Sequence, residues 1–267
     1  MIREWIPHGV LRCCNVLLGR TIKFRGSYAS WEEAKKNSSG YDSEKILDKV
    51  KKAVLEVKAG RAVYERDTII FHEEQYSFPL VTCLMKVATR RGGRLTVLDY
   101  GGSLGSTYYQ NRNMFSELDS LIWCIVEQQN YVKCGQEYIQ EDNLRFFSTI
   151  QECLNYARPD IVLFSSVLQY LEKPYEVLGE VMEAGIEYIL IDRTPCHPGN
   201  NDEITVQIVP KSIYKASYPA WIFNCKKLVS FMKGYDLLYE FDAADGTIKS
   251  GGHIASYKGF FLGKNIS

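Results

Sequence analysis

No two of the eight cysteines stand at the C-x-x-C spacing; they are scattered from Cys13 to Cys225. Zinc sites gather their ligands closely in sequence, so no structural metal is expected. Cys83 and Cys124 lie inside apolar stretches, the setting of free buried thiols and of a reducing compartment. Long apolar runs are missing too, and none approaches the ~20 residues a membrane span needs. The start, Met1-Ile-Arg-Glu-Trp-Ile-Pro7, lacks the charged-then-apolar order of a secretory signal, and the chain reads as cytoplasmic. Residues 10–18, interrupted by Arg12 and Asn15, could rest on a membrane surface, although packing against the protein is the simpler expectation. Net charge is absent: 32 Lys+Arg balance 32 Asp+Glu. Without a basic stripe, a nucleic-acid partner is not expected. Histidine is scarce, with four at 8, 72, 197 and 253, which leaves few imidazoles for proton transfer. Internal repeats and low-complexity tracts are missing as well.

What is present is ample apolar material, 46% of 267 residues, enough for one large α/β domain or a core with an extension. Residues 26–42 are polar and dotted with aromatics, with a short helix at best. Ser43 can then cap a helix in which Ile46, Leu47, Val50, Ala53, Val54 and Val57 form one stripe. A second helix begins near Ser77, with Pro79 in its first turn, where a missing N–H costs least. From residue 94 short apolar runs alternate with helical lengths. The runs are 95–99, 121–127, 144–147, 160–165 and 187–192; the helices fit 105–118, 130–138, 149–156 and 174–183. Continuously apolar strands spaced in this way predict a parallel sheet covered on both faces. Residues 193–223 read as a long irregular piece, followed by a helix near 225–233 and two strand-like runs at 236–241 and 257–262. The organisation expected is an N-terminal helical extension over 1–90 and a ligand-binding domain over 91–267.

The informative element is Val97-Leu-Asp-Tyr-Gly-Gly-Ser-Leu-Gly-Ser106. A strand, a glycine-rich turn and a helix place a ligand at the carboxyl end of the sheet. A dinucleotide fold wants G-x-G-x-x-G, which from Gly101 requires glycine at 103 and 106; both are serine. The pattern Asp/Glu-x-Gly-x-Gly-x-Gly is met by Asp99, Gly101 and Gly105, with Gly102 beside them and Ser103 in place of the middle glycine. That is the S-adenosylmethionine pattern. Asp99 discriminates, since an acid at the strand end can hold an amino group directly or through water and repels a diphosphate. A nicotinamide enzyme acting on sugars is thereby disfavoured. Glu127, 22 residues past Gly105, ends the second strand, where an acid can accept both hydroxyls of a ribose. A structural turn in some other α/β protein is the bland alternative.

With these residues the chain resembles the class I S-adenosylmethionine-dependent methyltransferases. It is more specifically similar to a family of methyltransferases found with bacterial surface-polysaccharide biosynthesis. The likeness rests on Trp31-Glu-Glu-Ala with Ser39-Gly-Tyr41, Tyr64-Glu-Arg-Asp67, the glycine turn, Ser165-Ser-Val-Leu-Gln-Tyr170, Ile191-Asp-Arg-Thr-Pro195 and Ile213-Tyr-Lys-Ala-Ser-Tyr-Pro-Ala-Trp221. It implies a Rossmann-like, mostly parallel sheet with helices on both faces and an antiparallel C-terminal edge hairpin. It further implies that Asp99, Gly101 and Gly105 surround the methionine part, Glu127 holds the ribose, Phe147 and Ser148 face the adenine, and residues from Ser165 to Gln169 line the side where methyl meets acceptor.

Methyl transfer to a hydroxyl needs alignment of the reacting groups and a base for the proton. His197 and Asp192 are the candidates, beyond the fifth strand, with His253 a third. For Asp192 the alternative is a salt bridge with Arg193 or a helix cap; for His197, an exposed loop position. Tyr214, Tyr218 and Trp221 could stack on a flat acceptor or pack a lid. Arg193 or Lys215 could meet a phosphate on a nucleotide- or lipid-linked acceptor. The segment with Trp31 and Tyr41, together with residues 64–67, could cover the site or brace the sheet edge. The Asn/Asp-Pro-Pro-aromatic signature of amino-group methylation is missing, since Ser165-Ser-Val-Leu stands after the fourth strand. The function expected is O-methylation of a sugar or glycan precursor, with a catalytically inactive scaffold of the same fold as the rival.

Overall fold

The computed structural model describes residues 22–40, 43–66, 68–209, 216–250 and 253–265. Residues 10–18, Tyr41, Asp67, Tyr214 and Lys215 lie outside the described residues, as do the side chains of Ser43 and His253.

Five parallel strands form the central sheet: β4 (Arg94–Tyr100), β5 (Ser120–Val126), β6 (Leu144–Phe147), β7 (Ile161–Ser165) and β8 (Tyr188–His197). Their order is β6-β5-β4-β7-β8. Two C-terminal strands, β11 (Tyr235–Ser250) and β12 (His253–Lys264), pair antiparallel, and β12 lies antiparallel against β8. A mostly parallel sheet closed by an antiparallel C-terminal hairpin is what the resemblance to the class I methyltransferase fold implies.

Each strand is apolar on both faces because both are covered. On one face Val97, Trp123, Ile125, Leu163, Leu190 and Phe261 meet helices α2 (Ser43–Lys58) and α3 (Phe78–Arg90). On the other, Leu98, Cys124, Val162, Phe164, Ile191 and Phe260 meet α6 (Ile150–Tyr156), α7 (Pro174–Glu183) and α8 (Cys225–Phe231). The short helices α4 (Ser106–Asn111) and α5 (Gln129–Cys134) follow β4 and β5. Every large side chain sealed in these layers contributes about 1.5–3 kcal/mol. Pro174 opens α7 and Pro79 sits in the first turn of α3, as expected.

Two regions differ from the sequence expectation. Most of the described part of 193–223 is strand: β8 runs on to His197, and β9 (Glu203–Val209) and β10 (Ala216–Asn224) pair antiparallel. Ile204, Val206 and Ile208 alternate at the strand period, a signal masked by the Pro, Asn, Tyr and Trp around them. The polar N-terminal segment also contains a strand, β1 (Lys23–Tyr28), which pairs with β9 ahead of helix α1 (Trp31–Lys36). In consequence β8 outruns its neighbour. Its first five residues pair with β7, its last two pair parallel with β10, and its other edge follows β12. The meander β10-β9-β1 therefore forms a wall beyond the end of β7. A small hairpin, β2 (Tyr64–Arg66) and β3 (Ile69–Phe71), lies beside α4.

Candidate active site

The strand order reverses between β4 and β7, and the crevice outside such a switch point is where this architecture binds ligands. The glycine turn lies there. Gly101 has φ +71, and a Cβ on it would stand 2.3 Å from Val167 Cγ2, so the turn after β4 touches the turn after β7. A Cβ on Gly102 would strike the Asp99 carboxylate at 2.5 Å. Both positions demand glycine because backbone packs on side chain with no spare space. Ser103, where the pattern has glycine, adopts the left-handed region with φ 55. The backbone thus takes a glycine conformation without the glycine. Gly105, φ 96, leads into α4.

Asp99 is 1% exposed, and its Oδ2 accepts from Trp123 Nε1 at 3.0 Å. Burial pushes its pKa up to about 7, opposed by the Trp123 bond and helped by the nearby Glu127 charge. Its carboxyl supports the turn from below. Glu127 follows β5 and is half-buried. Its Oε2 accepts from the Gln128 N–H at 2.6 Å, and it also bonds the Ser103 backbone. Burial raises its pKa and these two backbone bonds lower it. The carboxylate so joins the end of β5 to the glycine turn. Next along the edge, the Glu127 N–H donates to the Phe147 carbonyl at 3.1 Å, and the half-buried Phe147 ring lies 5.3 Å from Tyr156. Ser148 is exposed and donates its N–H to Glu152 Oε2 at 2.8 Å, while Thr149 Oγ1 accepts from the Glu152 N–H. That reciprocal cap starts α6. The structure brings Asp99, Gly101 to Gly105, Glu127 and Phe147 to one edge.

Asp192 joins that edge from the other side of the switch. It is 1% exposed, and its Oδ2 accepts from Ser165 Oγ at 3.2 Å. Burial pushes its pKa up to about 6, against the pull of the Arg193 charge, the Ser165 bond and a bond from the Arg193 backbone, and with the push of Asp245. Asp192 is not a helix cap, and the Arg193 guanidinium pairs bidentately with Asp245 instead, at 3.0 and 3.1 Å. His197 is elsewhere. It ends β8, five residues past Asp192, about 16 Å along an extended strand. It is not an exposed loop residue: it is 3% exposed, and its Nδ1 accepts from the Gly199 N–H at 3.0 Å. Tyr218 and Trp221 belong to β10, with Trp221 stacked on Trp31 at 6.0 Å.

Three groups here take roles that the sequence did not single out. The buried Glu65, from β2, accepts a hydrogen bond from Ser106 Oγ at the start of α4. Asp245 arrives through a register shift in β11. Gln169, wholly buried, donates to Ser166 Oγ at 3.0 Å. Among the described residues, no group of three His, Cys, Asp or Glu is placed to hold a metal, and no helix is long and apolar enough to cross a membrane.

No family profile and no curated protein matches the sequence. Among solved structures, the chain is similar to the N-terminal domain of EvdMO1, determined with S-adenosylhomocysteine and D-fucose. Identity is 12% and the TM-score 0.47, over 84% of this chain and 97% of that one. It is also similar to the Burkholderia thailandensis 1,6-didemethyltoxoflavin-N1-methyltransferase, with 14% identity and TM-score 0.46 over 84% and 91%. A third is the magnesium protoporphyrin IX methyltransferase of Synechocystis, with 11% identity and TM-score 0.44 over 85% and 99%. Likeness at this level says nothing about substrate.

Proposed function

We propose that the chain is an S-adenosylmethionine-dependent methyltransferase that O-methylates a sugar or glycan precursor of a surface polysaccharide in the cytoplasm. The observation that carries this reading is the crevice at the switch point. It has a turn whose Gly101 and Gly102 leave no space for a side chain, and a strand-end acid, Glu127, beside it. Those features suit a cofactor with a ribose diol and a zwitterionic tail better than a diphosphate. Glu127 would take the ribose, the Phe147 edge with Ser148 the adenine, and the turn over Asp99 the methionine end. Bound there, the cofactor supplies an electrophilic methyl group.

The chain's own task is then to orient the acceptor hydroxyl and take its proton. Asp192 fits the second task. Buried, beside Ser165, with a pKa raised to about 6, it is ionised at neutral pH yet a stronger base than an ordinary carboxylate. His197 would need the end of β8 to unravel, so the proton falls to Asp192. Residues 1–90 would serve as brace and cover, Glu65 of the β2–β3 hairpin touching α4, and 91–267 as the cofactor-binding domain.

One observation favours the inactive scaffold as second reading: Ser103, in the left-handed region, narrows a turn built for glycine. Calorimetric titration with S-adenosylhomocysteine, with NAD in parallel, tests both. Micromolar binding of S-adenosylhomocysteine alone supports the enzyme. Binding of neither supports the scaffold, and binding of NAD alone overturns the cofactor assignment.

A further inference from the structure

Two oxygens where β8 passes the end of β7 have no hydrogen-bond donor. Gln169 is wholly buried and Asp192 is 1% exposed, yet Gln169 Oε1 and Asp192 Oδ1 are both unpartnered. Leaving a buried acceptor unpaired is costly, and native folds rarely do so without a reason. The remainder of each group is held firmly. Gln169 Nε2 donates to Ser166 Oγ at 3.0 Å and reaches the Arg193 carbonyl at 3.5 Å, while Asp192 Oδ2 accepts from Ser165 Oγ and the Arg193 backbone N–H also bonds this carboxylate. The two groups share a frame: the Ser166 N–H donates to the Asp192 carbonyl at 2.9 Å. Ser166 and Arg193 both hold left-handed backbone, with φ 57 and 52, and such strain gathers where a site has been built. A register shift in β12 opposite Asp192 and Arg193 marks the same place.

We propose that Gln169 Oε1 and Asp192 Oδ1 form a two-point recognition site for neighbouring hydroxyls of a sugar ring, each oxygen accepting from one hydroxyl. This rests on reading the β7–β8 edge as the acceptor side of a methyltransferase. The chemistry follows from the atoms left free. Two acceptors, one of them on a carboxylate, repel phosphate and carboxylate groups and gain nothing from an apolar ligand. A hydroxyl is small, neutral and a donor, so a diol satisfies both oxygens. The hydroxyl on Asp192 would be the one deprotonated, and the hydroxyl on Gln169 would fix the ring. Gln169 is therefore a specificity-determining residue, one that selects a diol over a lone alcohol or phenol.

The surroundings suit a sugar. Tyr170 and Tyr218 meet edge to face at 5.4 Å next to Gln169, and Gln207 links them, accepting from Tyr170 and donating to Tyr218, both at 3.1 Å. The Arg193–Asp245 pair borders the cluster through the Arg193 backbone, its side chains only partly exposed, and its parting would open a way in. A buried water could satisfy the same oxygens; the test separates the two.

The experiment is ligand-observed NMR titration of the full chain. The probes are the methyl glycosides of glucose, galactose, mannose and rhamnose with their monodeoxy counterparts, each with and without S-adenosylhomocysteine. The expected result is that at least one parent glycoside binds. Deleting one of two neighbouring hydroxyls weakens it about tenfold, the scale of one lost hydrogen bond to a buried acceptor. In Gln169→Leu the parent weakens by the same factor, whereas the matching deoxy sugar loses nothing more; Gln169→Glu, which keeps an acceptor, retains the parent. Should the Leu variant fail to fold, the deoxy series on the natural chain and the Glu variant still decide. The proposal is overturned if no glycoside binds, if Gln169→Leu weakens parent and deoxy sugars alike, or if it changes thermal stability alone, as a displaced water would. S-adenosylhomocysteine binding without any glycoside sinks the hydroxyl site and leaves the methyltransferase reading standing. A glycoside bound with this deoxy pattern, but no cofactor, does the reverse.

Discussion

The two halves of the crevice are built by different means. Around the ends of β4, β5 and β6 the work is done by backbone: a turn that rejects side chains at Gly101 and Gly102, a strand-end carboxylate on its amides, and a capped helix at Ser148 and Thr149. Around β7 and β8 it is done by side chains from distant parts of the chain: Ser165, Gln169, Asp192 and Asp245. The first half should therefore respond to changes in backbone space, the second to changes in hydrogen bonding and charge.

Gly101→Ala should break the first half outright. Its Cβ would enter Val167 while the backbone keeps φ +71, a cost of roughly 2–4 kcal/mol from overpacking and left-handed strain. S-adenosylhomocysteine binding should fall below calorimetric detection and the melting temperature should drop. Intact binding would mean that the turn does not hold the cofactor.

Asp192→Asn should act on the second half, and through pH. The folded pKa of about 6 lies above the ordinary 3.8, so the native state holds the extra proton between those values. Its stabilising contribution is full below about pH 4 and is lost as pH rises through 6, an effect of ~3 kcal/mol. The variant should match the natural chain in melting temperature near pH 4 and exceed it at pH 8. Activity, where measured, should rise with pH around 6 in the natural chain and be nearly abolished in the variant. A melting curve for Asp192→Asn that tracks the natural chain at both pH values would show that burial does not shift this carboxyl.

Glu127→Ala sits between the halves in kind, being one charge resting on backbone. It should weaken S-adenosylhomocysteine by ~1–3 kcal/mol through lost charge-assisted hydrogen bonds, read by titration, with the melting temperature little changed. Unaltered affinity would remove the ribose role.

The same contrast explains what the sequence revealed. Strands over 95–99, 121–127 and 144–147 announced themselves because parallel strands covered on both faces must be apolar throughout. The turn was visible because glycine answers a backbone demand at fixed spacing. Residues 193–223 read as irregular because Pro219 and the aromatics around it resemble a loop, although Ile204, Val206 and Ile208 carry the strand period. His197 looked like a loop base because a strand was expected to stop at Asp192; nothing local says that β10 takes over where β7 ends. For a plainer reason, Asp245 gave no signal, and Glu65 and Gln169 stood only within the stretches 64–67 and 165–169 that the resemblance marked. Glu65 and Asp245 act through Ser106 and Arg193, far away in sequence, and Gln169 reaches Arg193 as well as its neighbour Ser166; no spacing rule encodes such long-range contacts.

The smallest effect is the most discriminating, since it falls on a position of the glycine turn where the two means of construction conflict. Ser103 has a side chain on a backbone made for glycine, φ 55, and its amide is one of those that Glu127 engages. Ser103→Gly removes the left-handed penalty but loosens the unfolded chain, so the net stabilisation should be about 0.5–1 kcal/mol. A rise of a few degrees in melting temperature, with S-adenosylhomocysteine affinity within a few-fold of the natural chain, would mean that serine is only a strained tenant of a working turn. A fall in both would mean that the hydroxyl is itself a ligand contact. If affinity appears in the glycine variant and is absent from the natural chain, serine has closed the cofactor site, and the fold has been kept for a purpose other than methyl transfer.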